Sequence, residues 1–200
     1  CCVKETGCNG FCENGPLVQI LPDDITYYKV RVKDVEEIVS KTILAGEPIE
    51  RLLYKNDRGQ RVRSQQENPF YTPQKKFALR NIGKIEPCSV EDYMAHGGYR
   101  ALKRALTMTG DEIVQEVEAS GLRGRGGAGF PTGRKWRSAL ELDRFPKYVA
   151  CNGDEGDPGA FMDRSILEGD PHSVLEGMAI CALAIGAEEG FLYIRDEYGL

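Results

Sequence analysis

The sequence predicts an α/β protein, and three features predict it. Tyr148-Val-Ala-Cys-Asn152 and Gly190-Phe-Leu-Tyr-Ile-Arg195 are short β-type runs separated by a segment that is apolar nearly all round at Ile180–Ile185, the strand–helix–strand order that a parallel sheet needs. A glycine-rich run at 121–133 lies between two stretches of helical periodicity. The chain has 200 residues, 41% of them hydrophobic, enough for the cores of one or two domains.

Along the chain, strand-like segments fall at Leu17–Leu21 and Thr26–Val30, followed by a helix over Val32–Leu44 opened by Asp34. Residues 46–80 are polar with few apolar anchors, which suits a linker running over a surface; their basic excess, with Lys75, Lys76 and Arg80, suits either a solvated face or the steering of an anionic partner. Ser89-Val-Glu-Asp opens a helix with a capping pattern, and Gly98–Met108 forms a second. Apolar Ile113, Val114 and Val117 with acids between them give an amphipathic helix ending at Gly121, and Trp136–Leu142 reads as another. Asp170-Pro171 starts the apolar helix, with proline at its first position. The expected division is 1–45, a linker at 46–80, and 81–200.

Two stretches carry chemistry. Gly121-Leu-Arg-Gly-Arg-Gly-Gly-Ala-Gly-Phe-Pro-Thr-Gly-Arg-Lys-Trp136 places six glycines among its first thirteen residues, with Arg125, Arg134 and Lys135 interleaved. Glycines let backbone N–H groups crowd round an anionic or flat ligand, so the run suits a phosphorylated cofactor; it would equally serve a tight structural turn. Ala150-Cys-Asn-Gly-Asp-Glu-Gly-Asp-Pro-Gly-Ala-Phe-Met-Asp-Arg164 adds Asn152, Asp154, Glu155 and Asp157, which accept from ribityl or ribose hydroxyls or a flavin ring N–H. Gly124-x-Gly126-x-x-Gly129 matches the dinucleotide fingerprint, but a helix precedes it where that motif needs a strand, and no Gly-Lys-Ser/Thr follows to make a phosphate-binding P-loop.

A net charge of -5 argues against a nucleic-acid partner. No apolar run approaches the ~20 residues of a membrane span, and the opening residues lack the pattern of a signal peptide, so a cytoplasmic location is expected. Seven cysteines in such a chain point to metal or redox chemistry, or to buried thiols, before disulfides. Cys8 and Cys12 sit in a glycine-containing loop that can bring two thiolates to one iron, or leave them as ordinary thiols; Cys88, Cys151 and Cys181 suit structural thiols. His172, in a helical first turn, suits a surface or capping place, and Trp136 the core.

The Gly121–Trp136 and Ala150–Arg164 wording resembles the flavin- and NADH-binding subunit of respiratory complex I and its soluble relatives, the diaphorase subunits of NAD(P)-linked hydrogenases and formate dehydrogenases. Gly-Asp-Glu-Gly-Asp-Pro-Gly-Ala-Phe-Met-Asp-Arg is most similar to the iron-hydrogenase group, including its electron-bifurcating members. The segment around Cys8 and Cys12, running through Leu44, resembles the second half of a thioredoxin-like 2Fe-2S ferredoxin. The implied fold is therefore a partial ferredoxin domain followed by the start of a complex I-type α/β FMN-binding domain. In that family two further 2Fe-2S ligands lie upstream, where Cys1 and Cys2 are poor matches, and a domain with 4Fe-4S clusters lies downstream; the chain is expected to be a fragment or a short relative.

By resemblance, Gly124, Arg125, Gly126, Gly127 and Lys135 with Asn152, Asp154 and Glu155 hold FMN, Phe130 and Asp157 face NAD(H) or NADP(H), and Cys8 and Cys12 ligate iron. Asp157, where respiratory relatives carry Glu, and Gly156, where some carry Ser, lean towards the hydrogenase group. No side chain is assigned acid–base catalysis. The implied partners are the other subunits of a hydrogenase or related complex. A flavoprotein subunit of complex I or of a formate dehydrogenase, and a non-catalytic electron-transfer or assembly fragment, stand as the alternatives.

Overall fold

Buried apolar side chains gather in two clusters, one of Ile25, Tyr27, Val30, Ile38, Ile49, Leu52 and Leu53, the other of Ala105, Ile113, Val114, Val149, Ala184 and Ile185. The computed structural model describes residues 2–157, 159–196 and 198. They fall into two units: a smaller one of Asn9–Phe77, and a larger one made of the residues up to Cys8 and those from Ala78 onward.

In the smaller unit β1 (Val18–Ile20) runs antiparallel to β2 (Ile25–Tyr27), with Val18 opposite Tyr27. A short helix α1 (Val35–Glu37) continues in π-helical form over Ile38–Leu44, close to the helix expected there. The stretch expected to be a linker is packed instead. It forms the hairpin of β3 (Tyr54–Lys55) and β4 (Arg61–Val62) and buries Ile49, Leu52, Leu53, Val62 and Tyr71. Two hydroxyls tie it down: Tyr27 Oη accepts from Ile49 N–H at 2.9 Å and meets Thr42 Oγ1 at 2.6 Å, while Tyr28 Oη accepts from the buried Asn68 amide at 3.0 Å. The few apolar residues are spaced without a helical or strand period, so their burial leaves no periodic trace in the sequence.

The larger unit opens with α2 (Val90–Ala95), whose expected cap is present: Ser89 Oγ accepts from Asp92 N–H at 3.1 Å. Helix α3 (Arg100–Ala105) follows, then α4 (Gly110–Ser120), which starts in a Thr109–Glu112 capping box and stops at Gly121 with φ +68°, a left-handed terminus that glycine adopts without strain. Helix α5 (Thr132–Glu141) begins four residues before the expected Trp136, with Pro131 at its N-cap. Strand β5 (Tyr148–Gly153), α6 (Met162–Gly169), α7 (Pro171–Ile185) and β6 (Glu189–Ile194) complete it. Asp170 caps α7 as expected, its carboxylate accepting from Ser173 N–H at 3.3 Å and from the Asn81 amide at 2.7 Å.

Strands β5 and β6 pair in parallel, Asn152 opposite Tyr193 and Gly153 opposite Ile194. The α/β class is thus present, with helices packed on the sheet. The sheet is sparsely covered: along β5 only Val149 and Gly153 are buried, and on β6 Phe191 and Tyr193 are 54% and 62% exposed. Helix α7 also departs from all-round burial, since Leu175 and Leu183 are exposed while Ala184 and Ile185 are buried.

Candidate functional site

The glycine-rich run is a loop pinned at both ends and open in the middle. Gly124 N–H donates to Phe130 C=O at 2.9 Å, Thr132 N–H to Leu122 C=O at 2.9 Å, and the Arg123 guanidinium to Gly129 C=O at 2.9 Å, closing a hairpin-like turn over 122–132. Gly127 and Gly129 have φ of +99° and +60°, conformations that side-chain-bearing residues rarely adopt. At Gly126, Gly127 and Gly129 a Cβ would meet nothing within 4 Å, so the absence of side chains there leaves exposed backbone facing open space.

The base of the loop is rigid for a different reason. Gly133 is buried where α5 crosses α4, and a Cβ there would stand 2.6 Å from the backbone nitrogen of Glu118. Arg137 of α5 then reaches back to α4, pairing with Glu118 at 2.9 Å and with Asp111. The first turn of α5 has no side-chain cap, and Arg134 and Lys135 on it are exposed, so two cations stand at the positive end of the helix. Phe130, at the edge of the loop, is 51% exposed, as a stacking role requires.

The second stretch leaves the sheet at its C-terminal edge, the usual ligand side of parallel α/β sheets. Asn152 is exposed near the end of β5 with its side-chain oxygen accepting from Asp154 N–H at 2.9 Å, which leaves its NH2 available; Asp154, Gly156 and Asp157 are exposed. Glu155 is different. Its carboxylate accepts from Asp163 N–H at 2.6 Å and from Tyr198 Oη at 2.7 Å, and its carbonyl accepts from Arg195 at 2.8 Å. Partial burial works against ionisation of Glu155, but these donors and the N–H groups of Arg164 and Met162 outweigh it and hold the carboxyl below its ordinary pKa. Glu155 therefore anchors the start of α6, and Asp163 beside it is shifted upward by burial and by the Glu155 charge.

The thiols separate by environment. Burial raises the pKa of Cys151, and raises that of Cys181 to about 11 against the opposing pull of Lys135, so both are thiols rather than thiolates at neutral pH, in keeping with the structural role expected of them. Cys88, expected to be structural, is exposed. Cys8 and Cys12 are both exposed; Cys8 closes the first segment of the larger unit, whereas Cys12 belongs to the smaller one. Among the described residues no group of three or more His, Cys, Asp or Glu is placed to hold a metal ion, and Cys1 lies outside the described residues.

One buried polar centre was not foreseen from the sequence. Glu176 on α7 accepts from Tyr93 Oη at 2.5 Å, Tyr99 N–H at 2.9 Å and Leu102 N–H at 3.0 Å. It caps α3 from a distance, since Tyr99 offers no side-chain cap and stands at φ +58°. His172, expected at the surface or in a capping role, instead meets Tyr99 Oη through Nδ1 at 2.8 Å and stacks on Tyr93. A lone acid inside the apolar α7 was the available sign.

A parallel strand pair with polar loops at its C-terminal edge and an open glycine hairpin leading into an uncapped helix belong to one α/β unit. Residues 117–200 match the family model described as the Nuo51 FMN-binding domain (Complex1_51K). The NADP-reducing hydrogenase subunit HndC of Solidesulfovibrio fructosivorans is 59% identical over 127 residues, covering 64% of this chain and 26% of the relative. An NADH-quinone oxidoreductase subunit of Rhizobium meliloti (strain 1021) is 54% identical over 121 residues, covering 60% of this chain and 29% of the relative. The chain thus spans between a quarter and a third of the length of these relatives. Among solved structures, an NAD+-reducing [NiFe]-hydrogenase in the air-oxidized state matches with a TM-score of 0.49 and 30% identity, covering 96% of this chain and 30% of that one. No helix among the described residues is long and apolar enough to cross a membrane.

Proposed function

We propose that the chain is the cofactor-binding part of an NAD(P)H:acceptor oxidoreductase subunit, a diaphorase that passes electrons between NAD(H) or NADP(H), FMN and iron–sulfur clusters in a cytoplasmic hydrogenase complex. The observation that carries this reading is the open hairpin over 122–132, with bare backbone at Gly126 and Gly127 beside the uncapped first turn of α5. FMN fits that cradle: the flat ring needs space free of Cβ atoms, and its phosphate needs N–H donors and a cation, which α5 and Lys135 supply. When bound, the flavin supplies two-electron chemistry with the nicotinamide and one-electron chemistry with iron–sulfur centres.

The protein's own share is positioning and electrostatics. Gly124, Arg125, Gly126, Gly127 and Lys135 would line the flavin, with Arg125 and Lys135 balancing phosphate charge. The Asn152 amide and the exposed Asp154 and Asp157 carboxylates offer one donor group and several acceptors at the sheet edge. Glu155 would act through the backbone it holds, and Gly156 keeps the turn between those carboxylates free of a side chain. Phe130 would stack on the nicotinamide dinucleotide, which Asp157 faces. Cys8 and Cys12 would provide two of the four thiolates of a 2Fe-2S cluster, a reading supported by the resemblance of the surrounding segment to a 2Fe-2S ferredoxin.

The similarity at 54% to an NADH-quinone oxidoreductase subunit supports a complex I flavoprotein as the second reading; Gly156 and Asp157 favour the hydrogenase side. Anaerobic titration of the FMN-loaded protein tests the proposal. Addition of NADH or NADPH should bleach the flavin absorbance, and a protein that takes up no FMN, or whose flavin neither nucleotide reduces, would refute it.

A further inference from the structure

The smaller unit carries a cavity of about 390 Å³ that no part of the proposed redox site uses. Lys29, Arg31, Lys33, Arg51, Lys55 and Arg61 line it against one carboxylate, Asp34. This is a concentrated positive charge in a chain whose net charge is -5. Asp34 is already occupied: it pairs with Arg51 at 2.9 Å and accepts from Arg31 N–H at 2.8 Å, while Arg51 also pairs with Glu37. Among the described residues, Lys29, Arg31, Lys55 and Arg61 have no carboxylate at ion-pair distance.

The inner wall is fixed. Leu52, Leu53 and Tyr28 are buried in it, and the Tyr54 ring packs at 5.6 Å on Tyr28. Arg61 is held to the rim through a bond from its guanidinium to Leu53 C=O at 2.9 Å. Lys29 stands at φ +53° with its N–H bonded to Asn14 C=O at 2.9 Å, a strained conformation that fixes where its side chain leaves the backbone. Single exposed cations attract weakly, but several converging on one concave, low-dielectric wall focus the potential on a compact polyanion. Arginine forks add directional donors suited to phosphate oxygens.

We propose that this cavity binds a di- or triphosphate group, carried by a nucleotide or present as the inorganic anion. Its volume lies at the small end of the range for ligand pockets, roughly 300–1,000 Å³, which suits a short polyanion better than an extended acidic peptide.

Titration calorimetry of the whole 200-residue chain with sodium triphosphate at low salt tests this. Saturable one-to-one binding is expected, weakening as salt is added. Joint replacement of Arg31, Lys33 and Lys55 by Gln should lower the affinity at least tenfold, with unchanged circular dichroism because all three are exposed and Arg51 is left in place. Lys55→Gln alone, the milder variant, should lower it about threefold. Lys135→Gln, which alters the glycine-loop site, should leave it unchanged. Tighter binding of ATP than of triphosphate would assign a nucleotide, and equal binding the inorganic anion. No binding, equal binding by the triple variant, a loss caused by Lys135→Gln, or displacement by polyglutamate at equal charge would each overturn the proposal.

Discussion

The hydroxyl of Tyr198 donates to the carboxylate of Glu155 over 2.7 Å, tying the segment that follows β6 to the one that follows β5. The same carboxylate receives Asp163 N–H at the start of α6. Two loops at the C-terminal edge of the sheet are thereby held by one acid, and the exposed polar groups of 152–157 are presented from a braced turn.

That brace is pH-dependent. Glu155 titrates below its ordinary range when folded, so it stabilises the fold above its unfolded pKa and loses that contribution as pH falls through the folded value; Glu112, Glu118, Asp34 and Asp92 shift the same way. Urea unfolding should show constant stability near neutrality and a decline below about pH 4.5. Glu155→Gln should lower the pH 7 stability by roughly 1 kcal/mol, as for loss of a helix cap, and flatten the acid decline. A variant with wild-type stability and an unchanged acid profile would remove Glu155 from this role.

Glu176 is a buried acid that serves three donors. Glu176→Ala would strand the Tyr93 hydroxyl and the Tyr99 and Leu102 N–H groups, at a cost of about 2–4 kcal/mol. Thermal unfolding by circular dichroism checks this, and a loss under about 0.5 kcal/mol, the level of an ordinary surface substitution, would contradict it.

Gly133→Ala should be damaging without touching a ligand, because its Cβ would press on the Glu118 backbone at 2.6 Å and force α4 and α5 apart. The expected loss is about 1–3 kcal/mol, that of overpacking a closed site. Chemical unfolding at neutral pH measures it, and unchanged stability would mean the two helices can slide.

Phe130→Ala should weaken nicotinamide-nucleotide binding while flavin stays bound. An exposed ring that stacks on a base contributes roughly 1–3 kcal/mol, about a five- to hundredfold change in affinity. NADH titration of the flavin-loaded variant reads it, and wild-type affinity would leave Phe130 without a ligand role.

Much of this was legible in the sequence, for identifiable reasons. Caps at Ser89 and Asp170, the glycine stop at 121 and the two β-type runs are local signals, and each element formed within a few residues of its expected place. What depends on distant partners was not legible. Residues 46–77 gain their structure from Tyr27 and Tyr28, and α3 gains its cap from Glu176, some 77 residues beyond Tyr99. At the site, the glycines were visible as glycines, but the inward turn of Glu155 depends on Asp163 and Tyr198 and could not be read from the motif.

If bare backbone at the glycine hairpin makes the flavin site, Gly126→Val should abolish flavin binding. A Cβ at Gly126 meets nothing within 4 Å in the protein itself, so the variant should fold with an unchanged circular dichroism spectrum and unfolding midpoint. A branched side chain should nevertheless occupy the space the ring needs, and the purified variant should lose bound FMN by absorbance at the flavin bands. A folded Gly126→Val protein with full flavin content would mean that the flavin does not sit on this hairpin.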